Sequence, residues 1–274
     1  MRATARADRP APSRPRDLRV AVTTFQRPEV VDRLRAGLPV HGDGRRRERY
    51  FTDAYRWMSG EVARHTGRKR RRYPFWVWVR PRWTARQVCP FPTGTLCQAE
   101  LCPHPLSVHN GEVQVELQIP AVELLSSDYE LWHHCLNGTY LPTAAEWSTI
   151  EADCDADLPF GHPGTMSDFE RRARVWLDRN GSPPSAGRWV DGHGRVDTAV
   201  LTGDLLDELR DSWRRCLLPD PIGDEVGPAL IQGCVDHLAP GWVTRYRRYQ
   251  PDPAGRRRLR PGPWCRLDRP DPDG

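Results

Sequence analysis

The residues whose types could do chemistry concentrate in one stretch, SSDYELWHHCLNGTYLP at positions 126–142. It holds a carboxylic acid, Asp128, and two adjacent histidines, His133 and His134. Histidine titrates near neutral pH, so it can donate or accept a proton under physiological conditions. Adjacent helical residues point about 100° apart, so only one of the two histidines can face a given cleft. We expect His133 or Asp128 to transfer a proton or to position a ligand.

The same stretch also has a purely structural interpretation. Ser127 and Glu130 have the spacing of a capping box, in which the hydroxyl accepts from the backbone three residues on and the carboxylate reaches back. Trp132 can pack inward, and Asn137 followed by Gly138 is typical of a helix C-terminus. This interpretation gives the two histidines no role, so both interpretations stay open.

A second group, of four soft ligands, lies in CPFPTGTLCQAELCPHP at positions 89–105: Cys89, Cys97, Cys102 and His104. Thiolates and imidazoles are ligands that Zn²⁺ prefers. The spacing is C-x7-C-x4-C-x-H, which differs from the tight cysteine pairs of zinc modules. Two interpretations remain: a structural zinc ion that orders the loop, and reduced thiols of the kind common in the cytosol.

Tryptophan and arginine offer a third kind of chemistry. In the strand-like segment PFWVWVR at 74–80, Trp76 and Trp78 project from one face because side chains alternate along a strand. An indole surface can stack a nucleobase or a nicotinamide, and its alternative role is packing in the core. The run RKRRR, Arg68 to Arg72, could contact phosphates of a nucleic acid, although a solvated loop is the favoured interpretation.

Composition excludes several classes of protein. The chain has no apolar run near the roughly 20 residues of a membrane helix, and no apolar segment follows its Arg-rich N-terminus. We therefore expect a cytoplasmic protein with no membrane partner. The motifs GxGxxG, HExxH and GxSxG and the Walker phosphate loop are absent from the sequence. Nothing therefore supports a common nucleotide hydrolase or a Rossmann enzyme.

The elements that must position these residues follow from periodicity. Strand-like segments are LRVAVTTF at 18–25, PFWVWVR, and EVQVELQI at 112–119, whose strict alternation is typical of a half-buried strand. Pro28 begins a helix, and the apolar stripe of FTDAYRWMSGEVARH at 51–65 predicts a second one. The first strand-like segment is therefore followed by a helix, and the second strand-like segment follows the second helix.

The C-terminal half predicts further helices and a closing pair of strands. Capping boxes, each of which begins a short helix, are Ser127 to Glu130, Thr143 to Glu146 and Ser167 to Glu170. Another helix begins at Thr202 or Asp204, and ALIQGCV at 229–235 with GWVTRYRRY at 241–249 predicts two strands joined by a turn. Two apparent hairpin-like pairings among mixed elements predict an α+β domain with a mainly antiparallel sheet.

The domain organisation follows from where these patterns stop. We expect disordered Arg/Pro-rich tails at 1–17 and 251–274, a single globular domain at 18–250, a Cys-rich loop at 89–105 and a flexible loop at 181–194.

The order of the segments resembles the bacterial family called domain of unknown function 3841. The segments that carry the likeness are VTTFQRPEVVDRLRAG, FTDAYRWMSGEV, YPFWVWVRP, VELQIPAVELLSSDYELWHHCLN, SWRRCLLPD and IQGCVDHLAPGWVTRYRRYQ. It spans about Leu18 to Tyr249 and departs from the family pattern in 89–105 and 154–201. The resemblance brings no established activity with it.

The layout is also similar to that of ADP-ribosyltransferases, which begin with a strand bearing a polar motif and carry Glu or Gln on a late strand. By this likeness Thr24 or Gln26 would hold the nicotinamide end of NAD, and Gln232 would occupy the position of the catalytic acid. The catalytic acid itself is absent at this position, which is occupied by glutamine.

We therefore predict a protein that binds NAD or another nucleotide in an aromatic-lined cleft. The predicted cofactor-binding residues are Thr24, Gln26, Trp57, Trp76, Trp78, Trp132 and Asn137, and the predicted catalytic residues are His133, Asp128 and Gln232. Two alternatives stay open. One is a non-catalytic module that binds RNA or protein, and the other is an enzyme of a natural-product or defence gene cluster that acts on another small substrate.

Overall fold

The computed structural model describes residues 18–42, 51–69, 73–79, 113–154, 167–180, 201–219, 231–251 and 259–268. The predictions for the N-terminal tail at 1–17, the Cys-rich loop at 89–105 and the loop at 181–194 lie outside these residues.

The chain packs as two compact units, which we call the sheet unit and the helical unit. The sheet unit is drawn from Ser13–Arg46, Met58–Ser126 and Asp220–Gly274, and the helical unit from Met1–Pro12, Arg47–Trp57 and Ser127–Pro219.

The strands of the described residues are, in chain order, β1 (Arg19–Gln26), β2 (Val40–His41), β3 (Phe75–Val79), β4 (Val113–Pro120), β5 (Leu125–Asp128), β6 (Leu217–Leu218), β7 (Ile231–Val235), β8 (His237–Leu238), β9 (Val243–Pro251) and β10 (Leu259–Pro261). Six α-helices are α1 (Pro28–Arg35), α2 (Thr52–Thr66), α3 (Tyr129–Leu136), α4 (Ala144–Cys154), α5 (Asp168–Asn180) and α6 (Asp204–Ser212). Short 3-10 turns cover Ala121–Glu123, Trp213–Cys216 and Pro240–Trp242.

The sheet unit is built on strands in the hydrogen-bonding order β10-β9-β4-β1-β3-β7-β5, and β2 pairs with β8 in a separate ribbon. The pairs β10 with β9, β9 with β4, β4 with β1, β1 with β3 and β3 with β7 are all antiparallel. The predicted α+β class with a mainly antiparallel sheet is thus confirmed.

The predicted hairpin-like pairings of the strands are wrong. Strand β1 lies between β3 and β4, and β4, β1 and β3 lie between β9 and β7. Alternating hydrophobicity identifies a strand, but it does not specify which partner the strand takes. Here β1 pairs with β4 along its whole length, from Arg19 opposite Pro120 to Gln26 opposite Val113.

Strand β4 is buried on both faces, so the prediction of a half-buried strand is also wrong. On one face Val113, Val115, Leu117 and Ile119 are at most 1% exposed. On the other, Gln114 and Glu116 are 2% and 6% exposed. Each of these two side chains accepts one hydrogen bond across the sheet: Gln114 Oε1 from Arg247 Nε at 2.8 Å, and Glu116 Oε2 from Arg245 Nε at 2.6 Å.

Part of the segment predicted as a disordered C-terminal tail is ordered at the edge of the sheet. Leu259–Pro261 forms β10 against β9, and Tyr246 and Cys265 exchange two backbone hydrogen bonds of 2.9 and 2.7 Å. The edge of β9 that faces away from β4 supplies these backbone partners. Periodicity in the tail does not reveal this pairing.

The helical unit has an aromatic core. Trp57 packs on Trp132, with ring centroids 6.5 Å apart, and edge-on against Trp213 at 5.5 Å. The capping boxes at Thr143 and Ser167 form as predicted: Glu146 N donates to Thr143 Oγ1 and Glu170 N donates to Ser167 Oγ, each at 3.2 Å.

Within the described ranges, none of the helices combines the length and the apolar character that a membrane crossing requires.

Candidate functional site

One face of the sheet carries polar and aromatic side chains instead of aliphatic ones. The register places Thr23 opposite Trp78 and Trp78 opposite Gln232. Directly opposed residues of antiparallel strands project from the same face, so these three side chains form a row across β1, β3 and β7. The same register continues the row to Glu116 on β4 and Arg245 on β9. We call these five residues the polar row.

At one end of the polar row, the indole of Trp78 has one hydrogen-bonding group on each side. Thr23 is 1% exposed and Gln232 is 5% exposed, whereas Trp78 is half-buried. Within the described parts of the chain, Thr23 Oγ1 and Gln232 Nε2 have no hydrogen-bond partner. Leaving such a group unsatisfied in the interior costs about 1–3 kcal/mol. A ligand that supplies the missing partners would recover that free energy.

The other end of the polar row is charged. The ion pair of Arg245 with Glu116 joins a 43% exposed guanidinium to an 8% exposed carboxylate. The guanidinium groups of Arg245 and Arg247 lie over the ring of Trp264, 4.1 and 4.3 Å from its centroid. This stacking on one indole restricts both arginine side chains, so positive charge is held at a defined place on the face.

Trp76 and Trp78, predicted to bind the cofactor, share the polar face with Gln232, predicted to be catalytic. The predicted cofactor-binding residues Thr24 and Gln26 lie on the opposite face. The register places Thr24 opposite Val115 and Gln26 opposite Val113, on the apolar side. The Thr24 hydroxyl donates to the backbone oxygen of Trp76 at 2.8 Å and accepts from Gln26 Nε2 at 2.8 Å. Thr24 and Gln26 therefore have structural hydrogen bonds.

The stretch at 126–142 forms helix α3, and its cap lies one residue later than predicted. Asp128 is the N-cap, and its Oδ1 accepts from Leu131 N at 2.9 Å. Ser127 lies one residue before the N-cap, and its Oγ has no hydrogen-bond partner among the described residues, so the predicted box of Ser127 with Glu130 is wrong. The Asp128 carboxylate has a sufficient structural role as the cap.

The predicted proton-transfer residue His133 is exposed on α3. Its Nδ1 lies 2.8 Å from the backbone oxygen of Tyr129, and its ring packs edge-on against the Tyr129 ring at 4.2 Å. Asn137 is the C-cap, and its Nδ2 donates to His133 O at 2.8 Å. These contacts belong to the helix itself.

Trp57 and Trp132, predicted to bind the cofactor, lie in the aromatic core of the helical unit. Trp132 is 2% exposed and also contacts the ring of Tyr55, with centroids 6.1 Å apart. Packing in the core is therefore a sufficient role for Trp132.

The predicted zinc ligands Cys89, Cys97, Cys102 and His104 lie outside the described residues. Within the described residues, no three or more His, Cys, Asp and Glu side chains are arranged to hold a metal ion.

Sequence reasoning missed Thr23, Glu116, Arg245 and Trp264 as parts of one face. Because side chains alternate along β4, Glu116 lies on the face away from the apolar residues, and this could be predicted from the sequence. The pairing of β1 with β3 and β4, which brings these residues together, has no local signature.

Comparison with known protein families gives a match for one segment of the chain. Residues 40–153 match the model of a family described as Domain of unknown function (DUF3841). The match confirms the resemblance over a shorter span than predicted: Trp78, Glu116, Asp128 and His133 lie inside the DUF3841 segment, and Gln232 lies outside it.

No curated protein and no solved structure matches the chain. The likeness to ADP-ribosyltransferases therefore stays a prediction.

Proposed function

We propose that the polar face of the sheet unit binds a nucleotide, with its base stacked on Trp78. The observation that carries this proposal is the row of Thr23, Trp78 and Gln232, in which a half-buried indole has a buried hydrogen-bonding group on each side. A base or a nicotinamide presents a flat π-face and polar edges, which match an indole flanked by a hydroxyl and an amide.

In this proposal Gln232 binds the ligand and takes no part in a catalytic step. Its carboxamide neither gains nor loses a proton near neutral pH, but it offers two donors and one acceptor. The Nε2 group, unsatisfied among the described residues, can donate to a carbonyl oxygen of the ligand. Thr23 can either donate or accept, so it tolerates either kind of polar edge.

The charged end of the row suits the phosphates of the same ligand. From β3 to β9 there are three strand spacings, or about 14 Å at about 4.8 Å each. A ligand that contacts both Trp78 and Arg245 must cover this distance, which is more than a base alone covers. A dinucleotide such as NAD fits this span, and the cytoplasm predicted from the sequence contains such ligands.

The experiment is a titration of the full chain by calorimetry with NAD, ADP-ribose, AMP and nicotinamide, together with thermal unfolding. NAD should raise the melting temperature, because a ligand that binds only the native state stabilises it. Trp78→Leu should weaken binding about 5- to 150-fold, since stacking of a base on an aromatic side chain contributes about 1–3 kcal/mol. Trp147→Leu is the matched control, because Trp147 is 38% exposed on helix α4.

Two results would contradict the proposal: no ligand raises the melting temperature, or Trp78→Leu and Trp147→Leu bind equally well. The variant His133→Gln tests the prediction from sequence separately. A loss of NAD affinity in that variant alone would move the binding site to helix α3.

A further inference from the structure

A cluster of titratable side chains lies in the sheet unit on the ribbon of β2 and β8, outside the polar row. His41 lies opposite His237 in the register, so both imidazoles project from the same face of the ribbon. Their ring centroids are 5.6 Å apart. His41 is 39% exposed and His237 is 13% exposed. Two proton-transfer groups therefore meet at a partly open surface.

A buried carboxylate lies near both rings. Asp236 is 7% exposed, and its Oδ2 lies 3.9 Å from Nδ1 of His41 and 3.7 Å from Nδ1 of His237. At 3.9 Å the carboxylate is too far from Nδ1 of His41 for a hydrogen bond, but its negative charge favours the tautomer with the proton on that nitrogen. For His41 this leaves Nε2 as the nitrogen that accepts a proton.

Arg68 gives His237 a different role. Its Nη1 lies 3.2 Å from Nδ1 of His237, and its Nη2 donates to Glu123 Oε1. A guanidinium can only donate, so Nδ1 of His237 is the acceptor and the neutral ring carries its proton on Nε2. The ring also packs against Trp242, with centroids 4.9 Å apart. His237 is thus a fixed donor beside a cation.

We propose that His41, Asp236, His237 and Arg68 form a site that cleaves RNA at the 2′-hydroxyl. The cluster supplies a proton acceptor, a donor and a cation, but none of its four side chains is a hydroxyl or thiol nucleophile. A substrate that brings its own nucleophile suits such a cluster, and the 2′-hydroxyl beside each phosphodiester of RNA is one. The basic run that begins at Arg68 continues at Lys69, which is exposed.

The reaction balances with one proton and no cofactor. Nε2 of His41 takes the proton of the 2′-hydroxyl as O2′ forms a bond to phosphorus and the bond from phosphorus to O5′ breaks. The His41 imidazolium then returns the proton to the leaving O5′. His237 Nε2–H and Arg68 stabilise the negative charge on the phosphate oxygens during the transfer. The products are a 2′,3′-cyclic phosphate and a 5′-hydroxyl.

The test uses the full chain with a labelled RNA oligonucleotide, the same sequence as DNA, and the RNA with 2′-O-methyl groups. Wild-type protein should cleave only the unmodified RNA, and mass spectrometry should find 2′,3′-cyclic phosphate ends. His41→Gln should lower the rate about 100-fold or more, because a positioned acid–base group contributes about 10²–10⁴-fold. His65→Gln is the matched control, since His65 is exposed in the last turn of helix α2 in the same unit.

Asp236 acts through His41, so it is a positioning residue with its own readout. Asp236→Asn should lower kcat and leave KM unchanged, while melting temperatures show whether each variant is folded. No cleavage of RNA by wild-type protein would overturn the proposal. Equal rates for His41→Gln and His65→Gln, or equal cleavage of the DNA, would overturn it too.

Discussion

Trp132 packs face to face with Trp57, with ring planes 18° apart and centroids separated by 6.5 Å. The arrangement makes both indoles part of the aromatic core of the helical unit. We expect Trp132→Ala to lower the free energy of unfolding by about 3–5 kcal/mol, the range for deleting a buried large aromatic side chain. Trp147→Ala, at a 38% exposed position, should cost about 1 kcal/mol or less. Urea unfolding measures both, and equal costs would place Trp132 outside the core.

The neighbouring threonines of β1 should respond to the same substitution with opposite signs. Thr23→Val removes a buried hydroxyl that has no hydrogen-bond partner among the described residues, so the free energy of unfolding should rise by about 1 kcal/mol. Thr24→Val removes the hydrogen bond to Trp76 O, so the free energy of unfolding should fall by about 1 kcal/mol. Denaturant unfolding of both variants measures the difference.

The Thr23→Val variant also separates stability from binding. If Thr23 contacts the nucleotide, the variant should be the more stable protein and the weaker binder. If Thr23→Val instead lowers the stability, the Thr23 hydroxyl of the wild-type protein has a hydrogen-bond partner in solution. The polar row would then lose one of its two unsatisfied groups.

The two capping boxes should respond to pH in opposite directions. Burial raises the pKa of Glu170 above its ordinary value of 4.5, and the charge of Glu146 adds to this, although hydrogen bonds from Ser167 oppose it. Burial also acts to raise the pKa of Glu146, but hydrogen bonds from Thr143 and Tyr140 outweigh it and hold the pKa below 4.5.

The sign of each effect follows from linkage. A raised folded pKa contributes stability below the unfolded value near 4.5 that is lost as pH rises through the folded pKa. A lowered folded pKa contributes stability at pH values above 4.5, and this stability is lost as pH falls through the folded pKa. Relative to wild type, Glu170→Gln should therefore gain stability as pH rises from 4 to 7, and Glu146→Gln should lose it. Thermal unfolding across this range tests both, and parallel pH profiles would contradict the expectation.

Gly42 holds the β2 ribbon close to the backbone of Tyr73. The two residues form an antiparallel bridge, and a Cβ at Gly42 would overlap the Tyr73 carbonyl oxygen and lie 3.2 Å from its carbonyl carbon. Backbone atoms cannot turn aside as a side chain can, so Gly42→Ala should lower the free energy of unfolding by about 1–3 kcal/mol.

Gly60→Ala is the control for the Gly42 substitution. Gly60 lies inside helix α2, and a Cβ there would meet nothing within 4 Å. Alanine should raise the free energy of unfolding by about 0.5–1 kcal/mol, because it is the better helix former. Urea unfolding of the two variants should thus give opposite signs, and a neutral Gly42→Ala would show that the bridge to Tyr73 is loose.

Features set by neighbours in sequence were predictable from the sequence. The shared face of Trp76 and Trp78 follows from the alternation of any strand. The capping boxes at Thr143 and Ser167 depend on a hydroxyl and a carboxylate three residues apart, and helix α2 follows from its apolar stripe. The cap of helix α3 was misplaced by one residue because strand β5 extends through Asp128.

Strand partners were decided only by the tertiary structure. Nothing local to β1 specifies that it lies between β3 and β4, yet this placement puts Thr23 beside Trp78 and brings both onto the face of Gln232. The same holds for His41 opposite His237 on the ribbon of β2 and β8. Periodicity is a property of one segment, whereas register depends on the burial and hydrogen bonding of segments far apart in the chain. The amino-acid sequence by itself therefore determined which faces the elements present, and the packed sheet determined which side chains meet on them.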